Sequence, residues 1–386
     1  MVNGRPDEGK DMRLGNEIID RVASYKYLGV TFDENGADRA KNNRICRANQ
    51  WWGRLCSIAK CRANKYEVVR GMWKNMVIPS ILHGMGTINW TAAEIKRMEI
   101  IQNKVGRLAL GSNKSAGVEA IRGDMGWSTF EERLMKSQLN YKVRLEKMNE
   151  GRWAKKISMV VGDKSKWVKN CAKAVDSVEL FKSWGRNQEG IYEWRLAYTL
   201  GDTSVYDIKK WKTFINERVQ KYGLKKWRDG IDDKTSLERY GKKKCPKTEM
   251  YYDGSWRSSL LFKARSGSLE TNVRTYRYNE RGNKECEYGC RSEGVVMDET
   301  IFHIMAECNG NSEYMEWAIQ NYVRILGREK FLEILGTGEE NIDFFLGLEE
   351  DVPMEVMEIT KIYLGMIWSA RKEKMLSNQQ TEVTYV

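Results

Sequence analysis

Three cysteines and one histidine lie within the 23-residue stretch CEYGCRSEGVVMDETIFHIMAEC, and this cluster constrains the fold more than any other feature. The four residues are Cys286, Cys290, His303 and Cys308. Thiolate sulfur and imidazole nitrogen are the ligands of tetrahedral zinc, and a Cys3His set leaves no open position for water. The spacing therefore favours a structural zinc site without hydrolytic activity over the alternative, a reduced cysteine cluster beside a core histidine.

The residues between the four candidate ligands indicate how the backbone brings them together. Gly289 lies inside the first cysteine pair and permits a tight turn that lets both sulfurs approach one ion. The segment DETIFHIMAEC has an apolar side formed by Ile301, Ile304 and Met305, which predicts a helix. Positions five apart on an α-helix do not stack, so we expect the helix to end or loosen near Cys308.

Length and composition predict a folded, intracellular protein without a membrane partner. The 386-residue chain is 41% hydrophobic and has only four prolines, which excludes a wholly disordered or collagen-like chain. No run of 18 apolar residues is present, so a transmembrane helix is not expected. The N-terminal stretch also lacks the apolar centre of a signal peptide.

The charge is distributed unevenly along the chain. Residues 301–386 carry 7 Lys and Arg against 15 Asp and Glu, a net charge of −8, whereas the first 300 residues carry +20. The basic part also contains most of the 14 Trp and 18 Tyr residues. This combination suits a phosphate backbone better than a small acidic substrate. We therefore expect RNA or DNA as the partner and no small-molecule substrate; the alternative is a basic surface that is only solvated.

Hydrophobic periodicity predicts helices from residue 38 to residue 148, where apolar positions recur at steps of three and four. Thr91 and Glu94 form a capping-box pattern at the start of one helix. Pro79 is expected to end the helix that begins near Tyr66, because proline cannot donate a backbone hydrogen bond.

The whole pattern predicts a mainly α fold with a short N-terminal β-hairpin remnant and a small zinc-stabilised α/β module. The β remnant is predicted from YKYLGVTF, an apolar and aromatic run followed by turn residues. Charge and periodicity divide the chain into a strand or hairpin remnant (1–36), a helical bundle (37–150), a basic Trp- and Lys-rich helical region (151–250), the zinc module (251–325) and acidic C-terminal helices (326–386).

Basic residues on the predicted helices are candidates for contact with a phosphate backbone, and a Trp among them could stack on bases. Region 151–250 alone carries a net charge of +11. The alternative is a set of lysine-rich polar faces with Trp packed inward. The candidate nucleic-acid-binding residues are Arg44, Arg47, Arg54, Lys225, Lys226, Trp227, Arg228, Lys242, Lys243, Lys244, Lys263 and Arg265.

An ordered series of motifs resembles the C-terminal half of the reverse transcriptase of non-LTR (LINE-type) retrotransposons. The series runs from YKYLGVTFDENG through VIPSILHGMGTINW, IIQNKVGRLALG and LLFKARSG to CEYGC and ETIFHIMAEC, so it covers Tyr25 to Cys308. The resemblance implies that YLGV belongs to the last strands of a polymerase palm, that the following helices form a thumb and that the cluster is a Cys-Cys-His-Cys knuckle. The twelve residues between Cys290 and His303 exceed the usual spacing in that family.

The catalytic residues of that family are absent from this chain. Two-metal polymerase chemistry needs paired carboxylates, which the family carries in a Phe/Tyr-x-Asp-Asp hairpin upstream of YLGV, and only 24 residues precede Tyr25 here. The one Asp-Asp pair, Asp232 and Asp233, lies in a polar stretch unlike a strand turn. We predict no catalytic residues, no complete magnesium site and no enzyme activity of the chain by itself.

The sequence supports three functional hypotheses. The first is a nucleic-acid-binding C-terminal part of a reverse transcriptase that binds template RNA or target DNA in the nucleus, with the cytoplasm as the alternative location. The second is one part of an active RNA-directed DNA polymerase whose palm and fingers come from an upstream polypeptide. The third is a relic fold that acts as a protein-interaction scaffold through the acidic helices after residue 310.

Overall fold

The computed structural model describes residues 13–20, 22–33, 36–60, 64–162, 165–180, 208–278, 283–336 and 341–384. Within these ranges the protein is mainly helical, which confirms the predicted fold class. Parts of the predicted hairpin remnant and basic region, residues 1–12 and 181–207, lie outside them.

Short antiparallel hairpins supply the strands of the described chain, and helices supply the rest of its regular structure. The hairpins are β1–β2 (Arg13–Leu14, Glu17–Ile18), β3–β4 (Ser24–Tyr27, Val30–Asp33) and β5–β6 (Arg291–Ser292, Val295–Val296). The helices are α1 (Asp38–Ile58), α2 (Lys65–Met72), α3 (Ile78–Leu82), α4 (Ala92–Leu110), α5 (Val118–Met125), α6 (Phe130–Glu146), α7 (Trp153–Val161), α8 (Lys166–Ser177), α9 (Ile208–Asp232), α10 (Glu238–Lys243), α11 (Trp256–Arg265), α12 (Asn272–Tyr278), α13 (Ser312–Leu326), α14 (Arg328–Leu335), α15 (Asn341–Phe345) and α16 (Met354–Thr384).

The chain divides into two compact units, and each is assembled from three separate segments. The first unit contains Met1–Leu55, Met72–Gln102 and Ser128–Lys226, and the second contains Cys56–Gly71, Asn103–Trp127 and Trp227–Val386. The five contiguous regions inferred from the sequence stay a prediction beside this discontinuous division.

In the first unit, the β3–β4 hairpin contacts α1 through polar side chains. The Arg39 guanidinium donates to Ser24 Oγ over 2.7 Å. Tyr25 pairs directly with Phe32, and both rings are exposed, as is the ring of Tyr27. The apolar run YKYLGVTF therefore forms both strands of a hairpin, with its aromatic side chains in solvent.

Two predictions about helix ends have different outcomes. The capping box is confirmed, because Glu94 N–H donates to Thr91 Oγ1 (3.3 Å) and Thr91 N–H donates to the Glu94 carboxylate (2.8 Å). The prediction that Pro79 ends a helix is wrong, since the chain stays helical through α3. A π-helical turn, Trp73–Val77, precedes α3 and places Pro79 in its first turn, where no intrahelical N–H bond is required.

Helices α6, α8 and α9 enclose an apolar core in the first unit. Its members on α6 and on α9 are four residues apart, as expected for one buried helix face, and its members from α8 continue into the residues just after that helix. The buried residues are Leu139, Val143, Ala174, Val175, Val178, Leu180, Ile215 and Val219.

The second unit is organised around one buried carboxylate, that of Asp124 on α5. Its oxygens accept hydrogen bonds from the Arg265 guanidinium (3.0 and 3.2 Å) and from the hydroxyls of Tyr240 (2.7 Å) and Tyr252. All four residues are buried. Burial raises the pKa of both tyrosines, which keeps their hydroxyls protonated and able to donate.

Arg265 also connects this carboxylate to the segment that follows α15. Its Nη1 donates to the carbonyl oxygens of Leu346 and Gly347, at 2.7 Å each. The guanidinium lies over the ring of Tyr251, 5.1 Å from its centroid. Because a buried charge is tolerated only when it is paired and hydrogen-bonded, these contacts hold α5, α11 and the chain after α15 together.

Replacement of Arg265 by methionine should strongly destabilise the second unit. The change leaves Asp124 buried without its cation, and we expect the free energy of unfolding to fall by about 3–5 kcal/mol. Urea denaturation followed by circular dichroism measures the loss. The control is Lys263→Met on the same helix, at a partly exposed position; equal unfolding curves for the two variants would contradict the role of Arg265.

Candidate metal centre

The three cysteine sulfurs of the cluster form an equilateral triangle. Cys286, Cys290 and Cys308 are separated by 3.7 Å from Sγ to Sγ in each of the three pairs. A disulfide needs about 2.05 Å, so these are free thiols. Tetrahedral ligands about 2.3 Å from a zinc ion would have sulfurs about 3.8 Å apart. The triangle therefore has the size of one face of such a tetrahedron.

His303 completes the set as the fourth potential ligand. One of its ring nitrogens and the three sulfurs lie within 4.8 Å of one another, and all four residues are buried. Neither ring nitrogen of His303 has a hydrogen-bond partner, although the residue is only 1% exposed. Buried polar atoms are rarely left unpaired, and a metal ion would satisfy this one.

The β5–β6 hairpin explains the long spacer between the second cysteine and the histidine. Glu293 and Gly294 both have positive φ, +51° and +82°, and form its tight turn. The hairpin returns the chain to the first ligand pair, where Met297 accepts a hydrogen bond from Cys286 N–H and donates one to the Cys290 carbonyl, at 2.9 Å each. The twelve-residue spacer thus supports two of the candidate ligands, Cys286 and Cys290, through backbone hydrogen bonds.

Local backbone geometry places the other ligands as well. Gly289 has φ +66° and donates to the Cys286 carbonyl (2.9 Å), which is the predicted turn between the first two cysteines. His303–Glu307 forms a π-helical turn, in which Cys308 N–H bonds to the His303 carbonyl at 2.8 Å. Cys308 itself is extended, with φ −70° and ψ 112°. The expected loosening of the helix near Cys308 is confirmed.

Interactions inside the cluster shift the proton affinities of its members. The hydrogen bond with Cys308 lowers the pKa of the Cys286 thiol to about 3, and the same bond raises the pKa of Cys308. Interaction with the neighbouring Cys286 side chain raises the pKa of the His303 imidazole to about 9. The cluster therefore favours a thiolate beside an imidazolium, and a bound metal cation would replace the protons.

The stretch that carries the four candidate ligands, residues 286–308, is called the metal loop below. A buried ion pair attaches this loop to α16. Nε and Nη2 of Arg371 donate to Oε1 of Glu299 over 2.9 and 2.6 Å, and both side chains are at most 5% exposed. The same oxygen accepts the backbone N–H of Asn272 at the start of α12 (2.9 Å). A second tie is the hydroxyl of Tyr363, which donates to the carbonyl of Met305 (2.7 Å).

The four predicted ligands are thus brought together and could hold one metal ion. Sequence reasoning missed Glu299 and Arg371, which fix the loop from outside. The only available signal was a glutamate just before an apolar helical segment and an arginine within the C-terminal helix, and that pattern does not reveal a pairing over 72 residues.

The candidate nucleic-acid-binding residues fall into two classes. Most have side chains that reach solvent, as contact with a phosphate requires, and Lys226 and Lys242 also pair with the carboxylates of Glu131 and Glu238. The exposed candidates are Arg47, Arg54, Lys225, Lys226, Arg228 and Lys242, and Lys243 and Lys263 are partly exposed.

The structure corrects the assignment of four candidates, because Arg44, Trp227, Lys244 and Arg265 are buried. Each side chain bonds to a partner inside the protein and is shielded from solvent, so it is not available to a phosphate or base. The partners are the carbonyl of His83 for Arg44 (2.6 Å), the carbonyl of Glu119 for Trp227 (2.8 Å), the carboxylate of Glu249 for Lys244 and that of Asp124 for Arg265.

Comparison with known proteins leaves the family of the chain open. No family model matches the sequence, and no curated protein is significantly similar to it. The resemblance to reverse transcriptases stays a prediction from the motif series. Among the helices that the structure describes, none is long and apolar enough to cross a membrane.

Replacement of Arg371 by methionine should loosen the metal loop, because it leaves the Glu299 carboxylate buried without a cation. Loss of one partner of a buried pair costs about 3–5 kcal/mol, so a chelator should capture zinc that has been added to the protein at a lower urea concentration. The matched control is Lys372→Met, at an exposed position beside it on α16. Metal release at the same urea concentration in both variants would show that the pair does not support the loop.

Proposed function

We propose that this protein binds nucleic acid and carries a structural zinc ion at Cys286, Cys290, His303 and Cys308. The observation that supports the metal is the equilateral sulfur triangle, 3.7 Å on each side, beside a buried imidazole without a hydrogen-bond partner. Three thiolates and one imidazole are soft and borderline ligands that favour zinc over magnesium or calcium.

Bound zinc would hold the two ends of the loop together. It would fix the positions of the ligands, which the small apolar core of the loop does not do by itself. That core consists of the three cysteines with Tyr288 and Met297 packed against them. Four protein ligands leave no position for a reacting water, so the proposed role is structural rather than catalytic.

The purified protein should contain one zinc ion per chain. We expect Cys290→Ser to lose most of this zinc, because a hydroxyl is a poor replacement for a thiolate ligand. Cys46→Ser, at an exposed cysteine on α1, is the control and should keep it. Elemental analysis of the dialysed proteins measures the content, and an unchanged zinc content in Cys290→Ser would contradict the four assigned ligands.

The proposal of nucleic-acid binding is supported by cations on one exposed side of α9. Lys221, Lys225 and Arg228 are spaced by four and three residues and are all exposed. Such spacing places their side chains on one face of a helix, where they can neutralise successive phosphates. The exposed Arg47 and Arg54 of α1 add further positive charge.

The motif series gives this proposal its biological context. We propose that the chain corresponds to the C-terminal part of a non-LTR retrotransposon reverse transcriptase and acts in the nucleus on template RNA or target DNA. The proposed role is binding without a polymerase site of its own, because the paired carboxylates of the family have no counterpart in the sequence.

Nucleic-acid binding should weaken steeply with salt and depend on the α9 cations. Counterion release makes affinity fall with salt in proportion to the number of neutralised phosphates, so changing Lys221, Lys225 and Arg228 to Gln should reduce both affinity and salt slope, the slope by about 2–3. Fluorescence anisotropy with single-stranded RNA and duplex DNA measures both quantities.

The control for this experiment changes the exposed Arg324, Arg328 and Lys330 to Gln, which removes the same charge from the acidic part of the chain. It should bind as the unmodified protein does. An affinity that is insensitive to salt, or equal losses in the two triple variants, would contradict binding through α9.

A second candidate function is a contribution to an RNA-directed DNA polymerase that another polypeptide completes. The observation that favours it is the exposed aromatic side of the β3–β4 hairpin, formed by Tyr25, Tyr27 and Phe32. Exposed apolar patches of this kind commonly mark a surface that another chain covers. Primer extension by this chain alone would contradict both candidate functions, whereas extension only after addition of a palm-containing polypeptide would favour the second.

A further inference from the structure

Glu307 lies beside the ring of the proposed histidine ligand. It follows His303 by four residues in the π-helical turn, and its Oε2 lies 3.5 Å from His303 Nδ1. The imidazole is buried, at 2% exposure, whereas the Glu307 side chain is 40% exposed. The ring is therefore fixed by its surroundings, and the carboxylate has room to approach it.

The contact distinguishes the two ring nitrogens of His303. Nδ1 faces a carboxylate, which accepts hydrogen bonds and repels a lone pair. One of the two ring nitrogens and the sulfurs of Cys286, Cys290 and Cys308 lie within 4.8 Å of one another, and with Nδ1 beside the carboxylate Nε2 is the nitrogen available to a metal ion. Since neither nitrogen has a hydrogen-bond partner elsewhere in the described protein, the carboxylate is the one feature that assigns a proton to a particular nitrogen.

We propose that Glu307 is the positioning residue of this metal site: it accepts the Nδ1–H hydrogen bond of His303 and thereby presents the Nε2 lone pair to the metal. The inference rests on the proposed zinc site. The imidazole binds as the neutral tautomer, with its proton on Nδ1, and no proton is transferred to Glu307. A carboxylate behind a ligating imidazole fixes ring orientation and makes the ligand more basic.

The proton position can be observed directly, because the chain contains only two histidines, His83 and His303. Full-length protein labelled with ¹⁵N-histidine and loaded with zinc gives two sets of ring signals in long-range ¹H–¹⁵N spectra. We expect His303 to show a protonated Nδ1 and a metal-bound Nε2. The exposed His83 serves as an internal reference, and a His83→Gln variant assigns the signals. Metal coordination through Nδ1 would overturn the proposal.

Substitution of Glu307 tests whether the carboxylate matters for metal affinity. Glu307→Ala should bind zinc about 10- to 100-fold more weakly, as is common when the partner of a ligating histidine is removed. Glu307→Gln should recover part of this loss, because its amide oxygen can still accept the Nδ1–H bond. The control is Glu333→Ala, at an exposed position on α14, which should bind zinc as the unmodified protein does.

Competition with a zinc chelator measures the affinities, and circular dichroism checks that each variant is folded. Equal zinc affinity in Glu307→Ala and the unmodified protein would overturn the role of Glu307 while leaving the zinc site intact. A full-length protein that takes up no zinc would overturn the zinc site and this proposal together.

Discussion

The second unit depends on the satisfaction of the Asp124 carboxylate, which is buried beyond the reach of water. Its donors come from segments distant from it in sequence, namely Arg265 at the end of α11, Tyr240 on α10 and Tyr252 between α10 and α11. A carboxylate without these donors would be strongly unfavourable in an apolar environment. The helices of the unit are therefore held in the one arrangement that delivers a cation and two hydroxyls to α5.

The metal loop also depends on a buried carboxylate whose donors come from distant parts of the sequence. Glu299 is buried and satisfied by Arg371 from α16 and by the N–H of Asn272 from α12. The loop has few apolar residues of its own, so this ion pair and the four candidate metal ligands hold it in place. Small modules of this kind commonly obtain folding free energy from a metal, and a metal ion held by these four residues would add to the stability of the loop.

Basic residues serve two opposite purposes in this protein, and the sequence does not separate them. Lys243 and Lys244 are neighbours in one lysine run, yet Lys243 is partly exposed and Lys244 is buried against Glu249. Arg265 ends a helix, where a cation is often solvated, but its side chain is fully buried against Asp124. Helical periodicity indicates which side of a helix is apolar; it does not indicate whether a flanking cation meets a buried acid.

The sequence alone determined the helical class, the capping box at Thr91 and the four metal-ligand candidates, because each of these depends on residues close together in the chain. The spacing of apolar residues reveals a helix because the helix has a fixed period. The Cys3His set was recognisable because its four members lie within 23 residues. The sequence did not reveal that the chain stays helical through Pro79, because the π-helical turn that places Pro79 in the first turn of α3 has no signal in the residue pattern.

Only the tertiary structure decided which cations are buried, how the twelve-residue spacer becomes a hairpin and which outer carboxylates support the site. Asp124 meets Arg265 across 141 residues, and Glu299 meets Arg371 across 72. Pairings of this kind are set by how helices pack rather than by local spacing. They form because an unpaired charge in the buried interior would cost too much free energy. The residues next to either partner in the sequence do not indicate which residue it will pair with.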